Sequence, residues 1–233
     1  MKKSNKLLLG GFLTVILLIA GIHIALFAKY KNGNYTISKA IEETSNERMQ
    51  SFPIVSHVVI RNVRTAGVIF SDMAAVERNK EDLIKYEQQG DSLIITGHYY
   101  NDDQPDGRSQ VNFTLPHNVT LHAVNSYLNF VKAENTEGIN PVLYLQNSYA
   151  TFLPRNEPYL LGSVKVVASD SSYVSFQGNT QINQLDVQLS NSTLEYNRGE
   201  VGQLNILTDS VSRLSLQTKH LLKAKITTTA NNP

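Results

Sequence analysis

From about residue 118 onward, apolar and polar positions alternate in a pattern that returns along the chain. One element reads Ser-x-apolar-x-aromatic. It occurs as Ser126-Tyr127-Leu128-Asn129-Phe130, Ser148-Tyr149-Ala150-Thr151-Phe152 and Ser172-Tyr173-Val174-Ser175-Phe176. It recurs as Ser192-Thr193-Leu194-Glu195-Tyr196 and, with leucine last, as Ser212-Arg213-Leu214-Ser215-Leu216. The intervals are 22, 24, 20 and 20 residues. A second element, apolar-x-x-apolar-x-apolar, appears as Leu161/Val164/Val166, Ile182/Leu185/Val187, Val201/Leu204/Ile206 and Leu221/Ala224/Ile226, at intervals of 21, 19 and 20. Two independent elements sharing one period mark a repeat architecture.

Alternation within each element is the period of a strand with one buried face. A single coil of about 20 residues cannot bury that face alone. Stacking coils ~4.8 Å apart lines up Leu128, Ala150, Val174, Leu194 and Leu214 inside, with Phe130, Phe152, Phe176, Tyr196 and Leu216 beside them. The predicted fold is therefore all-β, a parallel β-helix with two or three short strands per rung. Corners fall at Asn147-Ser148, Asp170-Ser171, Gly178-Asn179 and Arg198-Gly199. The ladder serines share the parity of the buried residues. They are expected either at an inner corner, bonded to backbone or to each other, or simply as turn formers. A leucine-rich repeat is the rival fold, because its L-x-x-L-x-L pattern overlaps Ile182/Leu185/Val187. Against it, Ser169, Ser190 or Asp209 stands where asparagine is usual, and no helical convex segment follows.

Residues 52–117 are less regular. Val58-Val59-Ile60, Val68-Ile69-Phe70, Leu93-Ile94-Ile95 and Val111-Asn112-Phe113 read as strands, Gln89-Gly90-Asp91 as a turn and Asn101 to Gly107 as a loop. This region is expected to supply the first rungs and the cap over the open end of the core, with residues 118–233 forming the regular solenoid.

Ahead of the body, Leu7 to Ala28 is a run of 22 residues without a formal charge. As a helix it reaches ~33 Å, about one hydrocarbon core. A cleaved signal peptide has a shorter apolar region, roughly 7–15 residues, and small residues before its cut. Leu26 and His23 sit badly there, so residues 7–28 are expected to be an uncleaved transmembrane anchor. Lys2, Lys3 and Lys6 keep residues 1–6 as a short cytoplasmic tail. The implied location is the bacterial inner membrane, single pass, with the body periplasmic or otherwise extracytoplasmic. His23 lies within the span and is read as a neutral, interface-facing residue. Residues 29–51 read as a stalk, with Ser38 capping a helix to about Arg48 that carries Ile41 and Met49 on its apolar side.

Composition narrows the function. The chain has no cysteine, which removes disulfides, thiol nucleophiles and cysteine-ligated metals. Without Lys2, Lys3 and Lys6 the 21 basic residues fall to 18 against 20 acidic ones, so the body is near neutral. Nucleic acid is not expected as a partner, since that needs a clustered basic face. No nucleotide or cofactor motif is present, nor G-x-S-x-G or H-E-x-x-H.

Several features together resemble a bacterial family, the GIN-domain or auto-transporter adhesin head proteins. These are the Val58-Val59-Ile60-Arg61-Asn62-Val63 opening, Gly67-Val68-Ile69-Phe70, a charged stretch from Glu77 to Tyr86, Gly90-Asp91-Ser92-Leu93-Ile94-Ile95, Leu115-Pro116 and the serine ladder. The resemblance spans roughly residues 52–226. It implies a right-handed β-helix exported to the envelope and an adhesive role, and it brings no catalytic residues.

Candidate sites are few. Tyr127, Tyr149 and Tyr173 share one position in three rungs and point outward by parity, so the column suits a glycan or an envelope protein. The plainer reading is a stack that stabilises the sheet itself. Asp102, Asp103 and Asp106 near His98 have the chemistry for acid–base work or Ca²⁺, but their spacing fits an ordinary solvated loop. His117 and His122, five apart, fall on opposite strand faces and do not make a metal site. Asn34, Asn112, Asn118 and Asn191 head N-x-S/T triplets and carry no assigned role. The expectation is a non-enzymatic, membrane-anchored envelope protein presenting a β-helix for adhesion, binding or scaffolding. The alternatives are a carbohydrate-active β-helix enzyme, which needs paired carboxylates and a basic residue on one face, and an anchored sensor acting through a partner protein.

Overall fold

The computed structural model describes residues 49–78, 84–97, 111–131, 138–153 and 159–229, with positions 11, 12, 14, 16–20 and 23. The chain divides into Met1–Glu47 and Arg48–Pro233. The described positions of the first unit are helical and exposed, and the His23 ring lies 2.9 Å from the Ile19 carbonyl four residues back. Most of the span expected at 7–28 lies outside the described residues, as does most of the stalk. Among the described residues no helix is long and apolar enough to cross a membrane.

The second unit opens with β1 (Met49–Phe52), β2 (His57–Arg61), β3 (Ala66–Ser71), β4 (Ala74–Glu77), β5 (Ile84–Gln89), β6 (Ser92–Gly97) and β7 (Val111–Pro116). The regular part follows: β8 (Thr120–Val124), β9 (Tyr127–Val131), β10 (Val142–Gln146), β11 (Tyr149–Leu153), β12 (Tyr159–Ser169) and β13 (Tyr173–Phe176). It closes with β14 (Thr180–Leu189), β15 (Thr193–Tyr196), β16 (Glu200–Thr208), β17 (Arg213–Leu216), the single helical turn α1 (Thr218–Leu221) and β18 (Ala224–Thr228). Met49, expected beside a stalk helix, instead begins a strand, and the boundary placed at residue 52 falls inside β1.

These strands form two nine-stranded sheets, ordered β1-β4-β7-β3-β9-β11-β13-β15-β17 and β18-β16-β14-β12-β10-β8-β2-β6-β5. Each regular rung gives one strand to each sheet, and successive rungs pair in parallel. The chain is thus an all-β solenoid. No helix intervenes between the recurring serines among the described residues, which removes the leucine-rich repeat.

Register reproduces the columns read from the repeat. Leu128, Ala150, Val174, Leu194 and Leu214 are successive partners. So are Leu161, Ile182 and Val201, and likewise Val164, Leu185, Leu204 and Ala224. The inward rows of both sheets merge in one hydrophobic core. In β12, β14 and β16 the alternation slips by one at Gly162-Ser163, Asn183-Gln184 and Gly202-Gln203, so each strand bends there and keeps its apolar side inward. Leu221 breaks the series. It was expected under Val201 but lies in α1, more than half exposed.

The corner between the sheets is built twice over. Asn62, Asn125, Asn147 and Asn191 hold left-handed φ values of 56°, 51°, 46° and 48°, a region that asparagine tolerates. The Asn147 side-chain amide donates to Asn125 Oδ1 at 2.9 Å, and that of Asn125 to Asn62 Oδ1 at 3.1 Å. Beside them Ser126, Ser148, Ser172 and Ser192 are buried, Ser212 is half-buried, and the serines bridge rungs. Ser126 Oγ accepts from the Val63 N–H, Ser148 Oγ from Ser126, Ser172 Oγ from Ser148 and Ser212 Oγ from Ser192, each at 3.1 Å. Ser148 Oγ also donates to the Gln146 carbonyl at 2.8 Å. The serines therefore make the turn and join adjacent coils. Replacing Ser148 with alanine strands the Ser126 N–H, so we expect a loss of about 1–3 kcal/mol, read from the urea unfolding midpoint. An unchanged midpoint would show that the ladder is ornamental. At the last corner, the Ser212 hydroxyl and the N–H groups of Asn191, Ser212 and Val211 hold the Asp209 carboxyl down to about 2.

The first rungs depart from chain order. β2 and β3 form a coil that ends up inside the stack, flanked on one side by β6 and β7 and on the other by β8 and β9. After β3 the chain runs outward, builds the end rung, and returns past its own first coil. That end is closed by antiparallel strands: β4 lies on β7, β1 on β4 and β5 on β6. Phe52 of β1 and Ile84 of β5 are buried, so the core is covered at that end.

Candidate functional site

Tyr127, Tyr149 and Tyr173 are direct partners on β9, β11 and β13. Their neighbours Leu128, Ala150 and Val174 are fully buried, so strand alternation turns the three phenols outward. Tyr127 is 41% and Tyr149 43% exposed, high for aromatic rings, while Tyr173 is half-buried. The Tyr127 and Tyr149 rings stack at 5.1 Å and 13°, and Tyr149 and Tyr173 are tilted at 5.9 Å and 38°. The Tyr173 hydroxyl donates to Glu195 Oε2, one strand further along. Burial first, and then that carboxylate, push the phenol above its ordinary range. Thr193 and Arg213 continue the column and bound the aromatic part. The result is a column of mutually stacked phenols with one carboxylate at its end. It offers ring edges and hydroxyl donors to solvent, and no nucleophile or base poised for bond-breaking.

A second outward aromatic pair lies on the other sheet. His122 and Tyr144 are in register on β8 and β10, with rings stacked at 4.5 Å and 8°. Desolvation, then the nearby His57, lower the His122 pKa. His117 sits in the turn before β8 and is not part of this pair. The pair carries the 22-residue spacing of Ser126 and Ser148, the one signal by which the sequence displayed it.

Two arrangements invite an enzymatic reading. Ser56, His57 and Asp91 converge, yet the Ser56 hydroxyl donates to Asp91 Oδ2 at 2.6 Å, and His57 Nε2 stands 3.8 Å from the same oxygen. A serine nucleophile needs its hydroxyl on the imidazole. Here it caps the carboxylate and is the main reason that carboxyl is held low. The second is a shallow depression on the outer face of the β12–β18 sheet, lined by Lys165, Asp186, Gln203, Asn205 and Lys225 among others. Its single carboxylate accepts from Gln184 Nε2 and Asn205 Nδ2, both at 2.7 Å. Glycoside cleavage calls on two carboxyl groups, and the lining holds one. Asp102, Asp103, Asp106 and His98 lie outside the described residues. Among the described residues no group of three or more histidine or acidic side chains is placed to hold a metal.

Comparison with known proteins assigns no residue roles. No family model matches the chain, and no curated protein matches it. Among solved structures, a candidate adhesin from Parabacteroides distasonis aligns with 78% of this chain and 93% of its own, at 13% identity and a TM-score of 0.37. A candidate adhesin from Parabacteroides merdae covers 77% of this chain and 91% of its own, at 11% identity and a TM-score of 0.33. A candidate cell adhesion protein from Clostridium sporogenes covers 77% and 95%, at 8% identity and 0.27. The GIN-domain resemblance accordingly remains a resemblance.

Proposed function

We propose that this chain is a non-enzymatic envelope protein of GIN-domain type. In this reading residues 7–28 anchor it in the bacterial inner membrane, and a right-handed solenoid stands outside for adhesion, binding or scaffolding. The observation that supports this best is the column Tyr127, Tyr149 and Tyr173, held in register on a sheet whose other face is the protein's core. Rigid aromatic rings give contact area at low entropic cost. Ring edges and hydroxyls repeating once per rung suit the hydroxyls of successive sugar units, or an extended segment of an envelope protein.

The test is a glycan array, together with a pull-down from envelope extract, using the full-length chain and its Tyr127→Ser/Tyr149→Ser/Tyr173→Ser variant. Because all three side chains face outward, the variant is expected to stay folded by circular dichroism. It should lose binding by about tenfold or more, the effect of removing an aromatic hot spot. Unchanged binding by the folded variant would overturn the site. New reducing ends after incubation with bacterial or host polysaccharides would overturn the non-enzymatic reading.

A further inference from the structure

The two ends of the solenoid are finished differently. Antiparallel strands close the end at β1 and β5. At the other end β17 and β18 are the last strands of their sheets among the described residues, each parallel to its predecessor. Their inward side chains Leu214, Leu216 and Ala224 are only partly buried against the core, and Ile226 is exposed. Ile206 is 2% exposed, whereas its partner Ile226 on β18 is 42% exposed. The turn α1 covers only part of this end. His220 is buried with its ring stacked on Tyr196 at 4.3 Å, but Leu221 and Leu222 are 53% and 83% exposed.

The residues that build this end add only positive charge, part of it met by Glu200. After Asp209 the chain contains Arg213, Lys219, Lys223 and Lys225 and no acidic residue. Lys219 is engaged by Glu200 at 2.7 Å, and Lys223 donates to the Val201 carbonyl at 3.1 Å. Lys225 stands on the outward side of β18, between the inward Ala224 and Ile226.

From this geometry we infer that the β18 end is a docking site for an acidic, extended segment of another protein, which adds to the sheet as its next strand. The backbone edge supplies the pairing, and alternation fixes the chemistry: apolar side chains land on Ala224 and Ile226, and an acidic one lands beside Lys225. A second copy of this chain is a poorer occupant, because it brings the same lysines to the same place. The inference uses a surface separate from the tyrosine column and does not depend on it.

The probe is a fluorescent peptide of about ten residues, the upper end of strand lengths, alternating Glu and Val, compared with its Lys/Val counterpart. The acidic peptide should bind the full-length chain about tenfold more tightly, and the gap should shrink above about 0.15 M salt. Its binding should slow hydrogen exchange at the β18 amides. Lys225→Glu should reverse the preference, and Ile226→Glu should abolish binding of the acidic peptide. The Tyr127→Ser/Tyr149→Ser/Tyr173→Ser variant should bind it unchanged. Equal binding of both peptides, no binding of the acidic one, or binding that survives Ile226→Glu would overturn the inference. So would a dimer in sedimentation that already protects the β18 amides, since it would give this end to a second copy.

Discussion

Replacing Phe152 with alanine is expected to destabilise the protein by about 3–5 kcal/mol, the range for deleting a fully buried phenylalanine. Phe152 is the middle ring of an internal stack, 4.5 Å from Phe130 and 4.6 Å from Phe176, with Tyr159 tilted against it at 6.0 Å. It has no exposed surface. A solenoid has few ways to collapse around a void, because each rung is tied by backbone ladders to the rungs above and below. Those ladders hold the spacing whatever fills the interior, so the cavity term should lie near its upper end. In a stacked repeat each interface couples only neighbours, and weakening one divides the stack. Urea unfolding of Phe152→Ala should therefore show a lower midpoint and a broadened or split transition. Phe152→Leu, which leaves a smaller void, should cost less than the alanine variant. A loss below about 1 kcal/mol for the alanine variant would mean that the ring stack does not hold the rungs together.

That prediction is legible in the sequence because the inward columns are. A strand with one buried face writes its parity into every second residue, and a fixed period then states which residues lie above one another. Leu128 under Ala150, and Val166 under Val187, needed nothing more. The order of the first rungs had no such record. β2 accepts partners on both edges by the same alternation that any rung shows, and nothing in Val58-Val59-Ile60 says that β6 will arrive from one side and β8 from the other. The far end escaped for a different reason. Tyr196 and Leu216 are in register, as the repeat required. Yet the ring that lies on Tyr196 is His220, from a turn that follows the last repeat. Its two nitrogens lie 2.9 Å from the Tyr196 carbonyl and 3.1 Å from that of Gly199. A histidine seated between two backbone carbonyls and one aromatic face leaves no periodic trace.

The candidate site divides the same way. Parity placed Tyr127, Tyr149 and Tyr173 outside, and the sheet keeps them there. The bond from Tyr173 to Glu195 was not visible, because strict register pairs Tyr173 with Thr193 and Ser175 with Glu195. The contact is diagonal across two strands, within reach only of a long aromatic side chain. Glu195 thus closes one end of the tyrosine column.

Gly199 is where the fold should be least tolerant of a single methyl group. Its φ is +92°, and a Cβ built there would stand 2.0 Å from the Thr180 carbonyl oxygen and 2.9 Å from the Thr180 nitrogen. Both obstacles are backbone of the adjacent rung, so no side chain can swing aside. Thr180 O is also held by the Tyr196 hydroxyl at 3.1 Å, and Gly199 O faces His220, so a shift at either point disturbs the contacts that seat α1. Left-handed strain of about 1–3 kcal/mol and an overpacking cost of similar size act together. Gly199→Ala is therefore expected to lose about 3 kcal/mol or more and to loosen the last rungs selectively. Hydrogen exchange should rise across β16 and β18 while β8 and β10 keep their protection. Gly90 separates the two causes. Its φ is +62° and a Cβ there would meet nothing within 4 Å, so Gly90→Ala carries the conformational term alone, about 1–2 kcal/mol. If the two variants proved equally costly, close packing of coil against coil at Thr180 would not be what demands glycine at 199, and the tight stacking of the C-terminal rungs would have to be given up.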